Sequence, residues 1–237
     1  MYGGYGLFSL FDPTFILVII GLVITGAASA YVKSTYAKYD EVRSRKGVTG
    51  TEAARYILQN QGINDVGVTQ ISGDLTDNYN SGNKMLSLSE STAQSTSVAA
   101  IGVAAHECGH AVQDAKHYIP MKIRGAIVPV ANLGSTLAFP LILIGVFMSW
   151  NQTLINIGIF AFSLALLFQI ITLPVEFDAS RRALKILGQG DLLDSEELAA
   201  AKKVLFAAAL TYVAGAMATF LQLLRLVILF GGNNRRN

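Results

Sequence analysis

Three residues within about one helical turn carry the chemistry that this sequence suggests first. In Ala105–Ala111, His106 and His110 are four positions apart, and Glu107 follows the first of them. On an α-helix, side chains four apart lie on nearly the same face, so both imidazoles can bind one metal ion. A zinc ion with these two ligands and a third protein ligand keeps a position for water, and a nearby carboxylate can take that water's proton. Such a constellation hydrolyses amide bonds.

The chain contains only three histidines, so two of them at this spacing around a glutamate form a specific signal. The alternative is an ordinary helix with two surface histidines. The single cysteine, Cys108, lies inside the motif and excludes an internal disulfide. Two residues after His106 it is rotated by about 200° around the helix, away from the imidazoles. We interpret Cys108 as a small apolar residue and not as a metal ligand.

Composition indicates a membrane protein. Of the 237 residues, 52% are hydrophobic and 14% are charged, and the mean hydropathy is +0.45. These values lie outside the usual range of soluble globular proteins. The net charge is only +2. Because no block of Lys and Arg alternates with aromatic residues, we exclude nucleic acid as a partner.

Long uncharged stretches predict four transmembrane helices, since about 20 apolar residues cross a bilayer. One lies between Asp12 and Lys33, two fit between Gly125 and Val175, and the last begins at Val204. Trp150 marks the turn of the central pair, where an interfacial aromatic belongs. The predicted spans are 13–32, 125–150, 152–174 and 204–230, and the polar segments between them are 33–122 and 175–203.

Basic residues predict the orientation, because Lys and Arg are enriched in cytoplasmic loops. Both polar segments carry them, so we expect 33–122 and 175–203 to be cytoplasmic and both chain ends to lie outside. In the first polar segment the basic residues follow the end of the first transmembrane span. In the second polar segment they lie on both sides of the loop that precedes the last span. They are Lys33, Lys38, Arg43, Arg45 and Lys46, then Arg181, Arg182, Lys185, Lys202 and Lys203.

The first polar segment predicts a small β-element ahead of the motif helix. Thr49 or Thr51 can cap a short helix that ends at Gly62. The runs 66–71 and 85–89 then indicate strands. The second strand either pairs with an extended substrate through its edge or lies inside the sheet. The motif helix follows a capping box at 91–94.

The second polar segment predicts two helix boundaries. The third span ends at Pro174, and a short helix runs from about Glu176 to Gly188. Asp194 and Glu197 can then form a capping box for the last helix.

The chain resembles the YugP-type membrane zinc metallopeptidases of bacteria and, more distantly, the HtpX-type and prenyl-protein-processing membrane peptidases. The likeness covers nearly the whole chain, including the Leu-rich final helix. The segments that carry it are Gly102–Gln113, Tyr118–Arg124, Leu173–Ala183 and Leu75–Tyr79.

This resemblance implies a mainly α, polytopic protein of the bacterial cell membrane, with a cytoplasmic zincin-like metalloprotease domain and one zinc ion per chain. In the more distant relatives the third zinc ligand is a glutamate, followed four residues later by an aspartate that supports a ligating histidine. Carried over, the ligand is Glu176, but position 180 is Ser180. Asp178 or Asp114 would then take the supporting role, or Ser180 could accept a hydrogen bond from an imidazole.

Topology favours Glu176 as the third ligand. Two predicted crossings separate it from His110, and an even number returns the chain to the same membrane face. Asp178 is the competitor, and on a helix it points about 200° away from Glu176. Asp114, one turn past His110, more naturally supports an imidazole.

A positive group at the developing oxyanion would assist hydrolysis beyond what zinc supplies. The candidates are His117, Tyr118, Tyr79 and Arg181, each of which has packing or interfacial alternatives.

The sequence therefore predicts a zinc endopeptidase in which His106, His110 and Glu176 hold the metal and Glu107 is the general base. Its partners would be protein or peptide substrates, membrane proteins among them, and the lipid bilayer. The alternative is a non-catalytic metal-binding membrane protein that acts in assembly or quality control. An intramembrane protease is excluded because the predicted spans lack acidic residues.

Overall fold

The computed structural model describes residues 12–190 and 192–231 of the chain. In these ranges the fold is mainly helical and contains one small sheet. The helices and strands, in chain order, are α1 (Phe15–Asp40), α2 (Gly50–Asn60), β1 (Gly67–Ile71), β2 (Asn78–Asn80), β3 (Met85–Ser89), α3 (Glu90–Ala93), α4 (Val98–Ala115), α5 (Ile119–Phe147), α6 (Gln152–Gln189) and α7 (Ser195–Phe230).

The chain forms two compact units. The motif unit consists of Ser29–Ile123 and Thr172–Thr211. The bundle unit consists of Arg124–Ile171 and the described residues of the two end segments, Met1–Ala28 and Tyr212–Asn237. Among the described residues, four helices, namely α1, α5, α6 and α7, are long and apolar enough to cross a membrane. The prediction of four membrane-spanning helices is therefore confirmed at the level of length and composition.

Small residues bring the helices of the bundle unit together. A Cβ added at Gly134 would lie only 2.7 Å from the carbonyl oxygen of Ala161. Because lipid provides no hydrophobic driving force between helices, close packing at small residues is one of the interactions that hold membrane helices together. Arg225 pairs with Asp12 at 3.0 Å. The arginine near the end of the last helix therefore has a protein carboxylate as its partner.

The motif unit buries α2 against α4. Of the two predicted caps, Thr49 is correct, and it forms a capping box with Glu52: the backbone N–H of Thr49 donates to Glu52 at 2.8 Å and that of Glu52 to Thr49 at 3.2 Å. This box fixes the start of α2 because it satisfies two N–H groups that the helix itself leaves without acceptors. The apolar face of α2, including Ala54 and Ile57, is fully buried in the core.

The sheet has the order β1-β3-β2. β1 runs parallel to β3 and β2 antiparallel to it, so that Val68 and Tyr79 both pair with Leu86. β3 is therefore the central strand. Of the two possibilities for residues 85–89, the internal position is correct, and both of its edges are occupied by protein.

Three local boundaries differ from the sequence prediction. The motif helix begins at Val98 with Ser97 as its cap, and the predicted box at 91–94 falls on the separate short helix α3. α6 continues through Pro174, where a break was predicted. A proline removes only one helical hydrogen bond, which a packed membrane helix tolerates. β2 was not predicted, because its three residues, Asn78 to Asn80, have turn-like types.

Candidate metal centre

The motif helix is positioned by its cap and by its small residues. The Ser97 hydroxyl accepts a hydrogen bond from the backbone N–H of Ala100 at 3.1 Å and donates to Asp40 at 2.6 Å. The first half of α4 is rich in alanine, and its alanines, including Ala104 and Ala105, are fully buried. Small side chains let neighbouring elements approach α4 closely, so the motif lies on a rigid part of the core.

Gly109 allows α6 to pack directly on the motif helix. A Cβ at this position would overlap the backbone carbonyl of Ala179 on α6. Gly102, about two turns earlier on α4, has its nearest such neighbour, the Cβ of Ala201, at 3.6 Å. Of these two glycines, therefore, only Gly109 lies where the backbones of α4 and α6 are so close that any side chain would separate them. The approach brings residues 176–180 of α6 to the imidazoles.

Both imidazoles converge on one carboxylate oxygen. The Oε2 atom of Glu176 lies 3.2 Å from Nε2 of His106 and 3.6 Å from Nε2 of His110. Potential ligand atoms of these three residues all lie within 4.8 Å of one another. The side chain of Glu176 is 2% exposed and that of His106 is 15% exposed. The cluster is thus buried on one side and open to solvent at His106.

This geometry fits a zinc ion. Ligand atoms about 2.1 Å from zinc in tetrahedral arrangement lie about 3.4 Å apart. The two nitrogen–oxygen distances, 3.2 and 3.6 Å, bracket that value. The donor set of two nitrogens and one carboxylate oxygen is also typical of catalytic zinc.

The charges around His110 favour a cation. Burial lowers the pKa of His110, but the nearby carboxylates of Glu176 and Glu107 outweigh burial and raise the pKa above its ordinary value. The same two negative charges would stabilise a metal ion in the cluster.

His110 is supported by Gln113, a residue that the sequence analysis did not single out. Nδ1 of His110 lies 3.0 Å from Oε1 of Gln113. The amide nitrogen of Gln113 donates to the carbonyl oxygen of Val175 at 2.8 Å and to Asp178 at 2.9 Å. Because both of those groups are acceptors, the amide orientation is fixed and its oxygen must face His110. Nδ1 of His110 therefore carries the proton, and Nε2 is free to bind a metal.

His106 is supported by a hydroxyl. Its Nδ1 atom lies 3.1 Å from Oγ of Ser180, on the next turn of α6 after Glu176. A serine hydroxyl can accept the imidazole N–H and rotate to suit it. The structure thus brings Ser180 to the position that was considered for it from the sequence.

Asp178 reaches the site through Gln113. Its carboxylate is 4% exposed and accepts hydrogen bonds from Gln113, Arg182 at 2.5 Å and Arg181. Its contact with the imidazoles is therefore indirect, one side chain removed from His110.

Asp114 faces the sheet. Its carboxylate accepts hydrogen bonds from the hydroxyl of Tyr79 at 2.7 Å and from the ammonium of Lys84 at 2.6 Å. Burial raises the pKa of Asp114, but these two donors outweigh burial and hold the pKa below its ordinary value. Asp114 is thus engaged with β2 and the turn before β3 instead of an imidazole.

The two residues between the histidines have different surroundings. Glu107 is partly exposed. Cys108 is fully buried, and its Sγ atom lies 3.6 Å from the carbonyl oxygen of Ala54. Burial raises the pKa of the Cys108 thiol. The cysteine packs between α4 and α2, as an apolar residue would.

The four oxyanion candidates have identified surroundings. Tyr79 donates to Asp114, and Arg181 is paired with Asp178. The ring of Tyr118 lies 5.5 Å below the guanidinium of Arg182. His117 is exposed and has a positive φ of 53° just after α4.

Two positions that shape this centre had usable sequence signals. Gln113 lies three residues after His110, on the same helix face. Gly109 is a glycine in the middle of a helix, where it costs about 1 kcal/mol relative to alanine and so suggests a packing reason. The hydrogen bonds of Gln113 to α6 depend on tertiary packing and had no local signal.

Comparison with known proteins agrees with the resemblance. Residues 14–231 match the family described as "Putative neutral zinc metallopeptidase". A relative from Bacillus subtilis (strain 168), described as "Putative membrane protease YugP", is 42% identical over 214 residues, which cover 90% of this chain and 95% of the relative. No solved structure matches the chain significantly.

Proposed function

We propose, from the premise that the chain belongs to the neutral zinc metallopeptidase family, that it is a multi-pass membrane endopeptidase with its active site at the cytoplasmic face of the bacterial cell membrane. The observation that carries the proposal is the cluster of His106, His110 and Glu176 within 4.8 Å, next to Glu107 on the same helix. Its substrates are peptide bonds of proteins, membrane proteins among them.

His106, His110 and Glu176 hold one zinc ion per chain in this proposal. When bound, zinc lowers the pKa of water and polarises the scissile carbonyl. Gln113 and Ser180 keep the two imidazoles oriented with Nε2 toward the metal, since each contacts the opposite ring nitrogen. Such outer partners raise metal affinity because they fix the ring and its proton before the metal arrives.

Glu107 is the general base. Its carboxylate takes the proton of the attacking water and afterwards gives it to the leaving amine, so no net proton is consumed. A group in this role must reach both the water and the substrate nitrogen. The partly exposed position of Glu107 next to His106 supports that access.

The substrate approaches from the solvent-exposed side of His106. β3 cannot accept it, because both of its edges are paired. β2 pairs with β3 through one edge, and its Tyr79 contacts the motif helix through Asp114. We therefore assign strand addition to β2, where backbone hydrogen bonds can hold a peptide without reading its sequence.

The cytoplasmic orientation rests on charge. The polar segments 33–122 and 175–203 carry most of the basic residues. Lys and Arg near the ends of membrane helices favour the cytoplasmic side.

The deciding experiment compares the purified full-length protein with its Glu107→Gln variant in detergent. Hydrolysis of denatured casein and bound zinc are measured on the same samples. We expect the variant to keep its zinc and to lose activity by a factor of about 10² to 10⁴. Glu41→Gln is the matched control, since this exposed glutamate lies outside the site and its loss should leave both readouts unchanged.

Near wild-type turnover in Glu107→Gln would refute the role of Glu107. A wild-type protein that binds zinc but hydrolyses nothing would instead support the non-catalytic alternative, a metal-binding protein of assembly or quality control.

A further inference from the structure

An open groove of about 610 Å³ lies in the motif unit, between the end of α6 and the start of α7. Its α6 wall is a stripe at helical spacing that includes Phe177, Arg181 and Lys185, and its α7 wall includes Lys202 and Phe206. The proposed peptidase mechanism uses none of the lysines or phenylalanines. A volume of this size accommodates a ligand as large as a drug molecule.

The groove changes character along its length. Phe177 and Phe206 are 44% and 55% exposed. They lie toward the ends of the groove helices that continue into the long apolar parts of α6 and α7. Lys185 and Lys202 lie nearer the loop that joins the two helices. The groove is therefore apolar at the end where α6 and α7 continue into their long apolar parts, and cationic at the end near the loop that joins them.

In the part of the chain that the structure describes, the groove has basic lining residues and no acidic one. Arg181 is paired with Asp178. Lys185 and Lys202 are exposed, and within the described ranges neither has an ion-pair partner. An occupant that matches these walls must present an anionic group next to an apolar chain.

We propose that this groove binds an anionic phospholipid, with its headgroup phosphate between Lys185 and Lys202 and an acyl chain along Phe177 and Phe206. Basic pockets between helices at a membrane surface are suited to such headgroups. The polarity along the groove matches the polarity along a lipid molecule, whereas a soluble acidic peptide would leave the exposed phenylalanines without an apolar partner.

Ser180 lines the groove and also contacts His106. The lipid would thus lie beside the proposed zinc centre without using any of its ligands. The proposal does not depend on peptidase activity, because its test measures binding alone.

The test uses fluorescence quenching at a single tryptophan in the groove. The chain has one tryptophan, Trp150, which is replaced by phenylalanine. Phe206→Trp then places the reporter in the groove, at a side chain that is already exposed. The full-length protein is reconstituted in phosphatidylcholine vesicles that contain a small fraction of either dibrominated phosphatidylglycerol or dibrominated phosphatidylcholine.

We expect brominated phosphatidylglycerol to quench the reporter at about a 25-fold lower mole fraction than brominated phosphatidylcholine. Each lysine near a membrane surface strengthens binding of an anionic lipid about fivefold. Lys185→Gln with Lys202→Gln should therefore abolish most of the preference. Lys46→Gln with Lys116→Gln is the matched control, which removes the same charge from exposed positions outside the groove and should keep it.

Equal quenching by the two lipids in the unaltered groove would overturn the proposal. So would a preference that survives loss of Lys185 and Lys202, or one that the control variant loses equally. Relief of the phosphatidylglycerol quenching by added soluble hexaglutamate would assign the groove to an acidic peptide and would likewise overturn it. Folding of each variant is checked by circular dichroism in the same vesicles.

Discussion

On the side of α4 that faces α6, polar partners are buried, whereas on the side that faces the sheet they remain partly exposed. The α6 side contains Glu176 at 2% exposure and Asp178 at 4%. The sheet side contains Asp114 at 21% and Lys84 at 39%. Removal of one partner from a buried hydrogen-bonded pair costs more stability than from an exposed pair, because the remaining buried group has no water to replace the lost partner. Substitutions on the two sides of one helix should therefore differ in their effects on the metal centre.

Removal of Glu176 is expected to have the largest effect. Glu176→Ala deletes a proposed ligand, so its zinc affinity should fall by more than the 10- to 100-fold that loss of an outer partner typically costs. Asp178→Ala, two residues away, should stay within that range, since Asp178 contacts His110 only through Gln113. Zinc affinity is measured by competition with a chelator. Full zinc retention in Glu176→Ala together with loss in Asp178→Ala would make Asp178 the ligand.

Gly109→Ala tests whether the α6 side depends on backbone approach. The new Cβ would overlap the Ala179 carbonyl, so α6 must move and carry Glu176 and Ser180 with it. Overpacking of this kind typically costs about 1 to 3 kcal/mol of stability. We expect a lower unfolding temperature together with reduced zinc affinity. Gly102→Ala, on the same helix, has ordinary contacts and serves as the control. Equal behaviour of both variants would contradict the role of Gly109.

Gln113 sharpens the comparison within the α6 side. Gln113→Ala should lower zinc affinity about 10- to 100-fold, because His110 loses its support and the Asp178 carboxylate and Val175 carbonyl each lose a donor. Gln113→Glu keeps an acceptor for His110 but cannot donate to α6, so it separates the two roles. Ser180→Ala should cost less, since water can replace its hydroxyl beside the partly exposed His106. A larger loss in Ser180→Ala than in Gln113→Ala would reverse this order.

The sheet side should show the smallest effect, and one that depends on pH. The pKa of Asp114 is lower in the folded chain than its ordinary value, so its ion pair stabilises the fold above that value, and the contribution is lost as the pH falls through the folded pKa. Asp114→Asn should therefore lower stability by about 1 kcal/mol near neutral pH and by less in acid. Thermal unfolding with chelator present, from about pH 6 to 3, measures this difference. A constant difference across that range would contradict the prediction.

The sequence predicted the parts of the site that follow from spacing along one helix. His106, Glu107 and His110 lie together because residues four apart share a face. It also indicated Glu176 and Ser180, through a resemblance rather than through local pattern. Gln113 was missed, although its spacing from His110 is local, because its value lies in two acceptors on α6. Such contacts between helices distant in sequence leave no periodic signal.

Asp114 shows why the sequence alone did not establish what each face of α4 contacts. One turn past His110, it was expected to support an imidazole. Its actual partner Tyr79 lies on β2, a strand whose asparagines suggested a turn. The missed three-residue strand therefore hid the contacts that Asp114 makes with the sheet. At Pro174 the local rule also failed, because α6 continues through a proline at which local sequence would end the helix.

The burial of Cys108 has a practical consequence for experiments on orientation. It is the only cysteine in the chain, and its thiol is both inaccessible and held protonated by burial. Alkylating reagents attack exposed thiolates, so the unaltered protein is silent toward them. A cysteine introduced at the exposed Ser81 can then be treated with an impermeant reagent on each side of the membrane in turn, with no background signal, and it reacts only on the side that it faces. The unaltered chain can thus serve as the unlabelled reference. Cys108 on the motif helix need not be replaced to determine which way that helix faces.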